Sequence, residues 1–267
     1  MLIAGSSHHF ANGSWAWPAG LVVWGPGHRS SPHAHHALQI VLALDGQLRA
    51  RSSPAQRWRT VGAVIVRPDA PHEVDCSTAP SVLIAFIEPE SGVGKAIGAP
   101  MTKPISFVPA ATVRRWRRSL RAPARLTEAT VRGWFASAFA GGGARRLDPR
   151  IAQVVRALRA RRGDLGRVSL AQLAAAAGLS PSRFAHLFSA SVGIPVRRYL
   201  LWLRAQRAAA SLIAGGTITD AAYGAGFSDG AHLSRTFRRM FGTAPRDIVR
   251  RQASARDLVI DAGTTEH

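Results

Sequence analysis

Cysteine is nearly absent from these 267 residues: Cys76 stands alone, which excludes an internal disulfide and any zinc ribbon built on paired thiolates. Lysine is almost as scarce, with Lys95 and Lys103 only, and the acids number 15 against 35 Lys and Arg, leaving a net charge of +20. Arginine therefore carries the charge, and a surplus of this size points to a polyanionic partner, either nucleic acid or an acidic membrane surface. No apolar run approaches the roughly 18 residues of a spanning helix. The start, MLIAGSSHHFANGSWAW, lacks the basic opening and long apolar run of a secretory signal. The expected location is the cytoplasm, with no membrane partner.

What is present suits a folded chain, since 46% of the residues are hydrophobic. The length accommodates two domains with separate cores. In residues 20–88 short apolar runs, LVVW (21–24), ALQIVLAL (37–44), AVIV (63–66) and SVLIAFI (81–87), alternate with turn residues. That spacing predicts a small all-β barrel or sandwich. From about Thr112 the apolar period becomes helical, and GGGARRLDP (141–149) has the composition of a linker. Residues 148–251 hold 17 Arg and 5 acids, a net +12, so much of the charge lies on the helical part.

Within that part the chain repeats itself. SLAQLAAAAGLS (169–180) aligns with TITDAAYGAGFS (217–228), 48 residues on. Each copy opens with a hydroxyl residue followed three positions later by Gln172 or Asp220, the pattern of a capping box, and closes on Gly178 or Gly226. A second helix follows each turn, with Phe184, Leu187 and Phe188 inward in the first and Leu233 and Phe237 inward in the second. Helix, glycine turn and amphipathic helix, twice in register on a basic chain, give two helix-turn-helix units. Ser180 and Ser228 are placed to cap the second helices. Between the units, VRRYLLWLRAQRAAASLIAG (196–215) has Tyr199, Leu200, Leu203, Ala208 and Leu212 at helical spacing, with Trp202 expected in its core. Eighteen such residues span roughly 27 Å, close to the roughly 34 Å between successive major grooves on one DNA face.

Residues 150–251 resemble the DNA-binding domain of the AraC/XylS family of bacterial transcriptional regulators. The resemblance is carried by AGLSPSRFAHLF (177–188), RAQRAA (204–209) and AAYGAGFSDGAHLSRTFRRMFGTAPRDIVR (221–250). It implies a sequence-specific regulator, not an enzyme, acting on double-stranded DNA at the nucleoid. A homodimer, and RNA polymerase if the protein activates, are among the partners it allows. By the same resemblance, bases are read by Ser182, Arg183, Ala185 and His186 in the first unit and by Gly230, Ala231, His232 and Arg235 in the second. Arg235 is the leading candidate for bidentate contact with guanine. Arg238 and Arg239 are placed for phosphates, since most protein–DNA hydrogen bonds go to the backbone.

One stretch is left over. GHRSSPHAHHALQIVLALDG (27–46) places His33, His35 and Gln39 at even offsets, on one face of a strand, with His36 on the other. Gly27, His33, His35, Gln39 and Gly46 have the spacing of the first cupin motif, with Gln39 where cupin enzymes carry Glu. Gly62, Pro68, Pro71 and His72 resemble the second motif, one residue short. This resemblance implies a cupin-like β-barrel with His72 opposite His33 and His35. Three readings stay open. These four residues line a pocket for a small-molecule effector, or they hold a divalent metal that the regulator senses, or, as the least favoured, that metal serves a cupin enzyme fused to a DNA-binding domain. Cys76 is read as a buried small residue, and His8, His9 and His28 as surface. The expected architecture is α+β and multidomain. A cupin-like sensor or dimerisation domain spans 15–92 and a partly helical connector 93–147. An all-α DNA-binding domain with two helix-turn-helix units spans 148–251, and a tail 252–267. In the connector, Trp116, Trp134 and Phe135 could serve a dimer face, an interdomain contact or plain core packing.

Overall fold

A computed structural model describes residues 13–17, 20–120, 126–139, 147–161 and 164–250; His8, His9 and the tail at 252–267 lie outside them. The N-terminal unit is sheet-rich and the C-terminal unit helical. A six-stranded antiparallel sheet runs in the order β1 (Gly13–Trp17), β2 (Gly20–Gly25), β8 (Val82–Ile87), β3 (Leu38–Ala43), β6 (Ala63–Val66) and β9 (Ile105–Phe107). A three-stranded antiparallel sheet has β4 (Leu48–Arg51) between β5 (Arg59–Val61) and β7 (Glu73–Asp75).

Strand β3 shows why the sheets lie where they do. All six of its residues are buried, so both faces are covered, as expected of an unbroken apolar run. Because side chains alternate, Leu38, Ile40 and Leu42 enter one core, and Val41 and Ala43 enter another with Leu48, Ala50, Val74 and Cys76 of the smaller sheet's region. Gln39 shares the parity of Val41 and so faces the second side. The short strands β4 and β7 are held by charge as well as by backbone. Arg49 pairs with Asp75 and Arg51 with Glu73, the same residues that face each other in register.

Residues 93–147 do more than connect. After α1 (Gly92–Gly98), strand β9 joins the sheet edge beside β6. Helices α2 (Ala110–Leu120) and α3 (Glu128–Ala138) close the first core with Val113, Trp116, Leu120, Val131, Trp134 and Phe135. Trp116 and Trp134 meet edge to face at 5.7 Å. These aromatics are core residues. The described part of this segment therefore belongs to the N-terminal unit.

The helical unit begins at α4 (Pro149–Ala160), capped by Asp148 with proline in its first turn. Helices α5 (Leu170–Ala176) and α6 (Pro181–Val192) form the first helix-turn-helix, and α8 (Ile218–Gly224) and α9 (Gly230–Phe241) the second. Between them runs α7 (Val196–Ile213), 18 residues or about 27 Å long. Its first half packs into a core with α4, α5 and α6 through Tyr199, Leu200 and Leu203. Its second half, through Ala208, Ala209 and Leu212, packs with α8 and α9. The RAQRAA signature has a mechanical reason. Arg204 bonds the Gly226 carbonyl in the second turn and lies over Phe227, while Arg207 bonds the Leu158 and Arg161 carbonyls at the end of α4.

The local rules hold with one exception. Ser169 and Gln172 form a reciprocal capping box, and Thr217 caps α8 by accepting from Asp220 N–H. Gly178 and Gly226 take φ of +64° and +82°, the left-handed backbone each turn needs. Ser180 caps α6, but Asp229, not Ser228, caps α9. One extra residue in the second turn moves the helix start, so the repeat interval is 48 up to the turn and 49 beyond it.

Candidate functional site

The two recognition helices match residue for residue at the longer interval. Each has 12 residues, with caps at Ser180 and Gly193 in one and Asp229 and Gly242 in the other. Ser182, Arg183, Ala185 and His186 therefore correspond to Ala231, His232, Ser234 and Arg235. The sequence reading shares Ala231, His232 and Arg235 with this set and differs in naming Gly230 where the correspondence gives Ser234. On α6, Ser182, Arg183 and His186 are exposed, Ala185 is half-buried, and Phe184 and Phe188 are fully buried. On α9, Ala231, Arg235, Arg238 and Arg239 are exposed, Gly230 and His232 are half-buried, and Leu233 and Phe237 are fully buried. Ala231, Arg235 and Arg238 follow i, i+4, i+7 and so form one stripe. His232 is partly spent on local structure, its ring edge-on to Phe227 at 5.1 Å and Nδ1 beside the Ser228 hydroxyl. Arg235 is thus an exposed cation at the middle of this stripe, with the cap Asp229 within electrostatic reach.

The histidines lie at the other end of α9. His33 sits in an isolated bridge with His72, and the chain bends at His36 and Ala37 before β3 begins at Leu38. The strand-parity argument therefore fails for His33 and His35, which precede the strand, although the loop still gathers them. The rings of His33 and His72 are 4.0 Å apart, His35 and His72 5.1 Å, and His33 and His35 5.6 Å. One ligating nitrogen from each of the three lies within 4.8 Å of the others.

Their protonation follows from their partners. Nδ1 of His33, His35 and His72 lies 2.8, 3.0 and 2.9 Å from the carbonyls of Ser31, Ala37 and Ala70. A carbonyl only accepts, so each Nδ1 carries the proton and each Nε2 keeps a lone pair. The Nε2 atoms of His35 and His72 are buried without a partner, as is Oε1 of Gln39. Burial pushes His33 down to about 4 and His35 to about 3, and moves His72 in the same direction. Three neutral imidazoles with fixed tautomers, two of them with Nε2 buried and without a partner, suit a divalent cation of the zinc, cobalt or nickel kind, with Gln39 as a weak neutral fourth donor. Zinc–nitrogen bonds of about 2.0–2.1 Å require donors roughly 3.3 Å apart, against the 4.8 Å within which one nitrogen of each ring lies here. Cys76 stays outside this group, buried and free, with burial raising its thiol to about 12.

A largely apolar cavity of about 150 Å³ opens beside the cluster. The sheet contributes Leu21, Val23, Val41, Ile84 and Phe86; α7 contributes Ala209 and Ile213, α9 Phe237 and Phe241, and the segment after α9 Ile248. His28, Ser30, His33 and Gln39 are among its polar lining residues. His28, expected at the surface, is half-buried here.

His36 stays apart from the cluster, as its opposite face in the sequence implies, but its partners lie far off in the chain. It is buried and turned into a separate network, Nε2 3.6 Å from Glu90 and Nδ1 3.7 Å from Asp69. Burial works against its charge, yet Asp69, Glu90 and Glu88 raise it to about 9. Arg159 of α4 lies 3.0 Å from both Glu88 and Glu90, and Gln206 of α7 donates to Glu88 at 2.9 Å. Burial and the charge of Glu90 raise Glu88. Glu90 is itself buried, but His36 and Arg159 outweigh that and hold it down. Arg159 already supplies the positive charge these carboxylates need, so this group serves as an interdomain ion network. The run FIEPE (86–90), with two acids at the end of a buried strand, was the only sequence signal for it.

Residues 173–251 match the family model described as a helix-turn-helix domain. Across the whole chain the fold is similar to that of apo ToxT from Vibrio cholerae, with a TM-score of 0.55 and 12% identity, covering 88% of this chain and 98% of that one. A second ToxT structure, from Vibrio cholerae O395, gives a TM-score of 0.52 at 10% identity, covering 86% and 98%. A third, of ToxT bound to (E)-4-(8-methylnaphthalen-1-yl)but-3-enoic acid, gives 0.50 at 12% identity, covering 86% and 97%. No curated protein matches the chain at the sequence level.

Proposed function

We propose that this chain, a DNA-binding transcriptional regulator with an AraC-type helix-turn-helix domain, is controlled by a small molecule held between its two units. The observation that carries this is the composition of the cavity wall. It is built jointly by the sheet and by α7 and α9, so an occupant touches the body of the second recognition helix. A ligand shifts an equilibrium only through unequal affinity for its two states, and a site shared between domains supplies that inequality. The lining suits an apolar molecule with one polar group, the latter at His33 and Gln39. ToxT bound to an aromatic butenoic acid is a relative in fold with a ligand of that general shape.

The N-terminal unit is read as a cupin-like sensor, supported by its paired sheets and by the His33, His35, Gln39 and His72 frame. In this reading those residues hold a divalent metal as well as bounding the pocket; the orphaned Nε2 atoms support it. The working partners are double-stranded DNA, a second copy of the chain and, for activation, RNA polymerase, in the cytoplasm at the nucleoid. Among the described residues no helix is long and apolar enough to cross a membrane. The test is genome-wide capture of bound DNA, followed by binding of Ala209→Phe protein to the recovered site. A recovered motif, with DNA affinity altered by the cavity-filling side chain, supports the proposal. Binding that depends on salt alone, with no motif, defeats it.

A further inference from the structure

The C-terminal end of α9 does not stand free. Its last turn and its cap are grasped by the loop that carries the first two histidines. Ser31 donates twice to the Gly242 carbonyl, from N–H at 2.8 Å and from its hydroxyl at 2.9 Å, and Ala34 N–H reaches the Arg239 carbonyl at 3.4 Å. Gly242 is the left-handed cap of α9, with φ +63°, and a Cβ there would stand 2.4 Å from the Ser31 carbonyl and 2.6 Å from His33 Nδ1. So close an approach is open to glycine alone. It uses otherwise unpaired carbonyls at the helix end, which must find donors somewhere.

We infer that this loop, residues 30–35, is a latch through which the occupancy of the His33, His35 and His72 cluster is read by the second recognition helix. The inference rests on the metal reading given above and adds the route of its control. The route is a continuous run of hydrogen bonds. The His33 ring donates through Nδ1 to the Ser31 carbonyl, and Ser31 donates onward to the cap of α9. His72 closes the loop from the other side by exchanging backbone bonds with His33 at 3.0 and 2.9 Å. A cation drawing the three Nε2 atoms together must move His33 relative to His72, and the Ser31–Gly242 contact moves with it. The elements of the first unit, α5 and α6, have no such bond to this loop among the described residues. The two units are therefore unequal. The first is held by α4 and α7, and the second is held by the sensor as well.

The test uses the full chain with Co2+, whose absorption bands report imidazole coordination. Amide hydrogen exchange is followed in 238–247 and, as an internal reference, in 181–193. The inference expects Co2+ to change exchange in 238–247 by about tenfold while leaving 181–193 unchanged, a coupling of ordinary allosteric size. Ser31→Ala, which removes one donor, and Gly242→Ala, which forces the contact apart, should bind Co2+ with the same bands yet lose most of that change. Ser31→Ala keeps the test decisive if Gly242→Ala does not fold. Cobalt bands with no change in 238–247 overturn the latch and leave the metal reading standing. No cobalt bands, with His35→Ala indistinguishable from the parent, overturn both. The DNA reading fails separately, through the absence of a captured motif, since exchange is measured without DNA.

Discussion

The indole N–H of Trp202, in the middle of the long helix α7, donates to Glu88, just beyond β8 of the N-terminal unit, at 3.1 Å, with both side chains buried. Glu88 also receives Gln206 and Arg159. Removing the carboxylate strands the buried Trp202 N–H and the Gln206 amide and leaves the half-buried Arg159 with Glu90 as its remaining acid partner, a loss of roughly 3 kcal/mol. Glu88→Ala should therefore lower the thermal midpoint and separate one unfolding transition into two, one for each unit. Glu88→Gln, which keeps an acceptor, should sit between. A single unshifted transition in Glu88→Ala, measured by calorimetry, would show that the contact does not join the units.

His36 gives the interface a pH dependence whose sign is fixed. Its value in the folded chain is raised to about 9, above the ordinary histidine value, so the folded state binds the proton more tightly than the unfolded state. The stabilisation is complete below the unfolded value of about 6.5 and is lost as pH rises through about 9. Facing it are Asp69, Glu88, Glu90 and, through the carboxylates, Arg159. Denaturant midpoints taken from pH 6 to 10 should fall for the parent chain and run flatter for His36→Gln. A parent profile as flat as that variant's is the contrary result.

Arg235 is expected to read a base, and Arg238 a phosphate. Arg235→Ala should cost about 1–3 kcal/mol at the preferred site and relax specificity at one position of it. Arg238→Ala should weaken all sequences alike and lower the slope of log K against log salt by about 1. Titrations of a captured site and a scrambled duplex at several salt concentrations separate the two. Equal losses on both duplexes for Arg235→Ala would return it to the phosphate group.

The first core of the N-terminal unit depends on the Trp116 and Trp134 pair. Trp134 is 2% exposed, and its replacement by Ala leaves a large void in a core shared by the sheet, α2 and α3. A loss of about 3–5 kcal/mol is expected in chemical denaturation. Because the residue touches nothing of α4–α9 in that core, DNA affinity at temperatures where the variant stays folded should be unaltered.

Much was legible in the sequence because it is local. The strands β2, β3, β6 and β8 lie on the four apolar runs, and the helix-turn-helix units follow from hydroxyl caps and turn glycines that act within a few residues. The short strands β4, β5, β7 and β9 were not legible. β4 and β7 hold Arg, Glu and Asp whose charges are answered across the sheet or by Arg29, which periodicity does not encode, and β5 and β9 have three residues each, too few to show a period. The one-residue slip at Asp229 belongs to the same class, since a serine and an aspartate in succession both satisfy the capping rule and packing selects between them.

By itself the sequence determined a basic chain with a sheet-forming half, a helical half and a duplicated DNA-reading unit, because composition, period and capping are properties of neighbouring residues. It also singled out His33, His35, Gln39 and His72 from spacing, although two of them fall outside the strand that the argument used. Only the tertiary structure decided that His36 finds Glu90 and Asp69, that α1, α2 and α3 close the core of the N-terminal unit, and that the loop beside the histidines holds the cap of α9. Those decisions turn on contacts between segments as much as 211 positions apart, as Ser31 and Gly242 are, and no local preference carries them. They are made when two units, each foldable by local rules, bury their remaining polar groups against each other.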